Sequence, residues 1–174
     1  MNQAVLDAIF QRRSIREFTE SPIAQDLLRE IIRAGSWAPS GLNNQPWRFV
    51  SITDPATIAE LAAQTRYAHI VKAAPALIAL FLDQREMYSE IKDHQAAGAC
   101  LQNMLLAAEA LDLGAVWLGE ILNRKAEVNR ILGLDLNFEL MAVVALGHPA
   151  HRRQKSHRKT LNEVIIKEIH GGIK

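Results

Sequence analysis

The chain has 174 residues, 49% apolar and 22% charged, a balance that fits a packed globular protein and excludes a disordered or fibrous one. Twenty Lys and Arg against nineteen Asp and Glu leave a net charge of +1, too weak a field for nonspecific binding to nucleic acid or a membrane surface. The single cysteine, Cys100, excludes an internal disulfide, no signal-peptide pattern opens the chain, and the longest apolar run (73–82, with Pro75) is about half a membrane span, so one cytoplasmic domain over residues 1–174 is expected.

Val5 and Ile9, then Leu27, Leu28, Ile31 and Ile32, recur at helical spacing and predict two helices. Ser21 as N-cap, Pro22 in the first turn and Gly35 at the C-terminus would punctuate the second. Between them lies Arg12-Arg13-Ser14-Ile15-Arg16, and after them a loop over 36–46, without periodicity and dense in turn formers and side-chain amides. Residues 47–53 alternate as a strand, and Asp54-Pro55 caps a helix to about Gln64. The short segment 75–82 is apolar on both faces, as a central strand would be. Residues 93–113 lack proline and are rich in Ala, Leu and Met, predicting a long buried helix ended by Gly114. A strand at 115–118, a helix from Asn123 to about Leu132 and a strand at 138–146 complete the core. The tail is polar and basic until apolar residues return at 161–166, a stretch expected to dock on a partner subunit. This order is no clean strand–helix alternation, so an α+β or irregular three-layer sandwich is expected.

The chemistry narrows by elimination. No G-x-G-x-x-G follows a strand, no G-x-S-x-G occurs, and Gly114 and Gly119 have P-loop spacing but Glu120 stands where Lys is required. Cys100 falls mid-helix among apolar residues, an inert position for a thiol. Two segments remain. The three guanidiniums and one hydroxyl of residues 12–16 suit a phosphate, or else form a solvated basic helix end. The amides of Pro39-Ser40-Gly41-Leu42-Asn43-Asn44-Gln45-Pro46 offer donors and acceptors to a heteroaromatic ring or a ribityl chain, or else serve their own backbone. The basic run 151–159 is a candidate nucleic-acid patch without aromatics to stack on bases, and His148, His151 and His157 make a thin metal-ligand set that reads more simply as loop histidines.

Taken together, R-R-S-I-R followed by A-P-S-G-L-N-N-Q-P-W-R-F, with L-G-A-V-W-L-G-E and A-L-G-H-P downstream, resembles the FMN-dependent nitroreductase family over about residues 7–164. The resemblance implies an α+β fold, a nitroreductase-like three-layer α-β-α sandwich with a mixed central sheet, helices on both faces and a C-terminal segment docked on the partner subunit. It implies an obligate homodimer with two FMN sites shared between chains, NADH or NADPH as reductant, and no nucleic acid or membrane. Arg12 and Ser14 would hold the phosphate and ribityl end with Arg13 beside them, and Arg16 would lie toward the pyrimidine edge. The second subunit would bring its own Pro39, Ser40 and Asn43 to the isoalloxazine and ribityl, with Gln45 close by. Gly119 and Glu120 match the segment whose backbone N–H approaches flavin N5, Arg158 matches a second phosphate contact, and Tyr67 falls near an asparagine position of longer members.

The implied cycle is ping-pong: hydride passes to FMN, and an electron-poor acceptor such as a nitroaromatic or quinone then takes the electrons. It needs no acid–base pair, and no catalytic side chain is nominated. Residues 83–92 are too few for the helical cover of longer relatives, leaving Tyr88 and Trp117 as either pocket-lining or packing residues. A flavin-binding protein without reductase turnover is the alternative reading, and a nucleic-acid module using 151–159 the more distant one.

Overall fold

The computed structural model describes residues 3–171. Strands β1 (Trp47–Ile52), β2 (Ala76–Asp83), β3 (Gly114–Leu118) and β4 (Phe138–Gly147) form one sheet in the order β1-β2-β4-β3. Every ladder is antiparallel, which corrects the expected mixed sheet. Parallel pairing needs a segment entering from the same side as its neighbour, and among the described residues only the bridge between Ser14 and Ala115 has that geometry.

All of β2 is buried, so its apolar run feeds two cores by simple alternation. Ile78, Leu80 and Leu82 pack under α2 (Gln25–Ser36) and α5 (Glu90–Ala110), whereas Leu77, Ala79 and Phe81 pack under α3 (Pro55–Ala62), α4 (Ala68–Ala73) and α6 (Lys125–Ile131). In β4 the parity changes, because the register steps from Ala142 opposite Leu80 to Leu140 opposite Phe81 and leaves Met141 as the extra residue of a bulge. Leu140 therefore shares a core with Val143 and Ala145 rather than with Ala142.

Local signals set some element ends, and tertiary contacts override others. Asp54 caps α3 as expected, Oδ2 accepting from the Thr57 N–H at 2.8 Å with Pro55 in the first turn. The Ser21–Pro22 signal does not start α2, which begins at Gln25 behind Ala24, because the lead-in instead buries Ile23 in the core. Gly35 lies inside the helix rather than past its end, and a Cβ there would stand 2.7 Å from Met104 Cγ and 3.1 Å from Cys100 Sγ. It is a close-approach glycine between α2 and α5. Gly114 does not end α5, which stops at Ala110 with Asp112 (φ 57°) in the turn, but opens β3 where Ile15 lies against it. Asn123 sits within a 3-10 turn (Glu120–Arg124) ahead of α6 instead of capping it.

The ends of the chain bury little. Helix α1 (Ala4–Gln11) has no buried residue and leaves Phe10 67% exposed. The last helix, α7 (Leu161–Val164), is closed by a capping box in which Thr160 and Glu163 bond reciprocally. Around it Leu161, Val164, Ile166 and Ile169 face solvent. Among the described residues no helix is long and apolar enough to cross a membrane.

Candidate functional site

The R-R-S-I-R segment leaves α1 at Arg12 and runs extended along the β3 edge. Ile15, 1% exposed, is the anchor: its N–H donates to Ala115 O at 3.0 Å and its side chain fills the space a Cβ at Gly114 would take. A second tie follows, with Phe18 bridged to Pro149 and packed on Gly147, the Thr19 N–H donating to His148 O and the Ala150 N–H to Glu17 O. The C-terminal segment is thereby laid beside residues 12–19. It is pinned again by Arg152, whose Nη1 donates to both Glu109 carboxylate oxygens at 3.0 Å, and by His151, whose Nε2 lies 3.3 Å from Glu17 Oε2.

These ties close a cleft of about 380 Å³ lined by Arg12, Arg13, Ser14 and Arg16 on one wall and residues 154–158 on the other. Its chemistry is cationic. Burial, then the like charges of Arg158 and Arg13, pull the Arg12 guanidinium below its ordinary pKa, with Glu109 opposing, although an arginine stays protonated at any physiological pH. Arg12 Nε and Nη1 and Arg13 Nε are buried donors with no acceptor, and Gln154 Oε1 is a buried acceptor with no donor. Arg13 is partly spent on structure, its Nη1 donating to Phe10 O at 2.7 Å and Arg12 O at 2.8 Å to tie off α1. Arg16 Nη1 reaches back to Ser14 O and Arg158 Nη1 to His157 O. Unpaired buried donors beside a hydroxyl fit an acceptor-only dianion such as a phosphate ester, and the Gln154 oxygen fits a neighbouring hydroxyl. Gln154, Lys155 and Ser156 line this wall although the sequence marks them only as part of the basic run 151–159, and of the three histidines offered as a metal set only His157 lines it.

Pro39, Ser40, Asn43 and Gln45 do not line this cleft. Their loop is a short 3-10 turn (Gly41–Asn43) in which Leu42, Asn43 and Gln45 all have left-handed backbones, φ 54°, 56° and 48°. Three such non-glycine residues in four positions are a strained arrangement that the surroundings must hold in place. Ser40 Oγ accepts the Gln45 N–H at 3.1 Å, and Gln45 Nε2 donates to Asn43 O at 3.2 Å. Asn44 turns inward, Nδ2 donating to the buried Asp93 carboxylate at 2.8 Å, while Leu42 stays 86% exposed and Asn43 is exposed beside it. Although burial opposes its ionisation, the N–H of Ser89, the Asn44 amide and the N–H of Tyr88 together hold the Asp93 carboxyl below the usual range.

Gly119 and Glu120 also lie outside the cleft, at the end of β3. A Cβ on Gly119 would meet nothing, and the first N–H groups of the 3-10 turn have no intrahelical acceptor. The Glu120 side chain is committed elsewhere: Oε2 accepts from Thr65 Oγ1 at 2.6 Å and the Arg66 N–H at 3.0 Å, which hold its pKa below the ordinary value, and Oε1 accepts from Arg66 Nε. Tyr88 packs its ring on Gly41, and a Cβ there would overlap it. Tyr67 and Trp117 are both partly exposed, Trp117 on the sheet edge and Tyr67 at the start of α4. Cys100 is buried, and that desolvation pushes its thiol up to about 12.

One protomer thus gathers Arg12, Arg13, Ser14, Arg16 and Arg158 and leaves the amide loop and the Gly119 turn as separate, outward-facing surfaces. An antiparallel sheet sandwiched by helices, with a cationic cleft beside its edge strand, makes this an α+β protein. The sequence signature of the Nitroreductase family matches residues 9–66 and 59–148, and the chain belongs to that family. It is 36% identical to an NADH dehydrogenase of Thermus thermophilus over 93% of this chain and 96% of that one, and 31% identical to an NADPH-flavin oxidoreductase of Vibrio harveyi over 95% and 73%. The fold matches that of a Desulfovibrio desulfuricans protein described as a nitroreductase and solved in complex with FMN, at a TM-score of 0.91 and 52% identity over 96% of this chain and 98% of that one.

Proposed function

We propose that this chain is a one-domain, cytoplasmic FMN-dependent oxidoreductase that takes reducing equivalents from NADH or NADPH and passes them to an electron-poor acceptor of nitroaromatic or quinone type. The observation that carries the reading is the cleft at Arg12, with its buried guanidinium donors lacking any acceptor of the protomer's own. Bound there, FMN would supply the redox chemistry, hydride in from reduced nicotinamide and electrons out to the acceptor.

The chain's own groups bind and bias. Arg12, Ser14 and Arg158 would hold the phosphate, Arg13 would shape that wall, and Gln154 would accept from a ribityl hydroxyl. Arg16 would place positive charge by the pyrimidine edge, favouring the anionic reduced form. The backbone N–H at Gly119–Glu120 would serve as the donor to N5, because the Glu120 carboxylate is already occupied by Thr65 and Arg66. In a shared site the second subunit's Pro39, Ser40, Asn43 and Gln45 would close the ring pocket. Dimerisation is supported by the apolar surface left on α1, at Trp37 and Leu42, and along residues 161–169. Relatives bearing NADPH-flavin oxidoreductase and NADH dehydrogenase names, and an FMN complex of the same fold, support the cofactor and the reductant.

The test is the visible spectrum of the purified protein, then anaerobic addition of NADH or NADPH. A flavin spectrum bleached by reduced nicotinamide and restored by a nitroaromatic or quinone is expected. A colourless protein that takes up no added FMN refutes the reading, and a flavin spectrum that reduced nicotinamide leaves untouched identifies a passive flavin binder. Mixing Arg12→Ala with Asn43→Ala subunits should restore one intact site per heterodimer; no recovery refutes the shared site.

A further inference from the structure

Asp93 has no part in the roles given so far, yet it is the most deeply placed carboxylate near the amide loop, at 0% exposure. Its Oδ1 accepts from Asn44 Nδ2 at 2.8 Å, and its Oδ2 accepts from the N–H groups of Tyr88 at 3.0 Å and Ser89 at 2.9 Å. Asn44 Nδ2 donates a second bond to Glu86 O at 3.1 Å, while Asn44 Oδ1 is buried without a partner. The amide is therefore held for its donors alone. One buried carboxylate joins the segment leading into α5 to a loop 49 residues away.

What it joins is the part of the loop under strain. Leu42, Asn43 and Gln45, on either side of Asn44, are the left-handed residues, and Tyr88, whose N–H the carboxylate accepts, backs Gly41 with its ring. A loop with such backbones keeps one conformation only when fixed contacts over-determine it. Most of its other ties are short-range, such as Gln45 to Ser40 and to Asn43. A ligand that meets a preformed loop spends no binding energy on ordering it.

We propose that Asp93 is a positioning residue for the flavin site: through Asn44 it locks the left-handed run that presents Ser40, Asn43 and Gln45, and through the Tyr88 N–H it fixes the ring behind Gly41. The proposal rests on the flavin reading above. An asparagine at 93 keeps the shape but turns an NH2 toward either the Asn44 NH2 or the two backbone N–H groups, donor against donor, and a flip of the Asn44 amide to meet it would set Oδ1 against the Glu86 carbonyl, acceptor against acceptor. The loop then loses its brace while the helices beneath it keep their packing.

The experiment uses the full chain carrying Asp93→Asn, Asn44→Ala or both, with FMN affinity measured by fluorescence titration of apoprotein well below the melting point, alongside thermal unfolding of each apoprotein. Each single variant is expected to weaken FMN binding about ten-fold or more, and the double variant should be no weaker than the weaker single, since both remove one tie. Variants that melt earlier but bind FMN within about two-fold of the wild type make Asp93 merely structural and overturn the proposal. Strictly additive losses overturn the route through Asn44. Should Asp93→Asn fail to fold, Asn44→Ala decides alone by the same affinity criterion. Failure of the wild type itself to bind FMN would instead remove the flavin reading beneath it.

Discussion

Replacing Arg12 with methionine should move stability and ligand binding in opposite directions. In the protomer two of its N–H donors are buried without acceptors, and Arg158 and Arg13 add like charge. An unpaired buried donor costs about 1–3 kcal/mol, but the side chain is only partly buried and solvent screens the repulsion, so a net gain of about 1 kcal/mol on removal is reasonable. For a chain of this length that raises the apoprotein melting temperature by about 2–4 °C. The same substitution removes a charge-assisted contact to the phosphate, about 1.5–3 kcal/mol, or roughly ten- to hundred-fold in the FMN dissociation constant. Differential scanning of apoprotein and an FMN fluorescence titration read the two effects separately. A solvated basic helix end would give neither change, so an unaltered or lower melting temperature together with unaltered FMN affinity refutes the reasoning.

Glu139 is held below its ordinary value of 4.5: burial opposes ionisation, but His94 and Lys125 outweigh it through hydrogen bonds and charge. A lowered folded pKa contributes stability above the unfolded value that is lost as pH falls through the folded one, so Glu139→Gln should flatten the decline in the urea midpoint as the pH falls below the ordinary value of 4.5. An equally steep decline in the variant contradicts the pairing. Gly35→Ala should lower stability by about 1–3 kcal/mol, because Met104 must move from a Cβ only 2.7 Å away; an unchanged melting curve would show that α2 and α5 have room to spare. Ile166→Glu should leave the protomer's fold intact, since that side chain is fully exposed in it, while shifting the proposed dimer toward monomer in sedimentation velocity. No shift at micromolar concentration would remove residue 166 from the interface.

The sheet was legible because burial on both sides writes itself into the residues, β2 having no polar position before Asp83, and the long helix because its segment lacks proline; its expected all-round burial is corrected, since the buried residues from Asp93 to Ala108 fall on one stripe. The Asp54–Pro55 cap was legible because it is made within four residues. Signals of equal local strength misled where tertiary contacts decided. Ser21–Pro22 looks like a helix start until Ile23 is buried, and Gly35 looks like a helix end until Met104 is found against it. For the site, the cationic character of residues 12–16 could be read directly, but their extended path depends on Ile15 meeting Ala115, and the second wall depends on Arg152 meeting Glu109 across 43 residues. Arg13 illustrates the limit, since composition alone does not reveal that one guanidinium nitrogen is turned onto the carbonyls of Phe10 and Arg12.

The wall of the cleft that carries Arg158 has no ladder and no helix; residues 151–160 are tied back to the protomer by Arg152 on Glu109 and by His151 beside Glu17. An anion seated there would act as a stitch between the two ends of the chain, and without it the strand of basic residues offers trypsin an accessible, irregular substrate. Nicking within 153–159 should accordingly be fast in apoprotein and suppressed by FMN, so that a gel lane reports occupancy of the cleft as directly as a spectrum does.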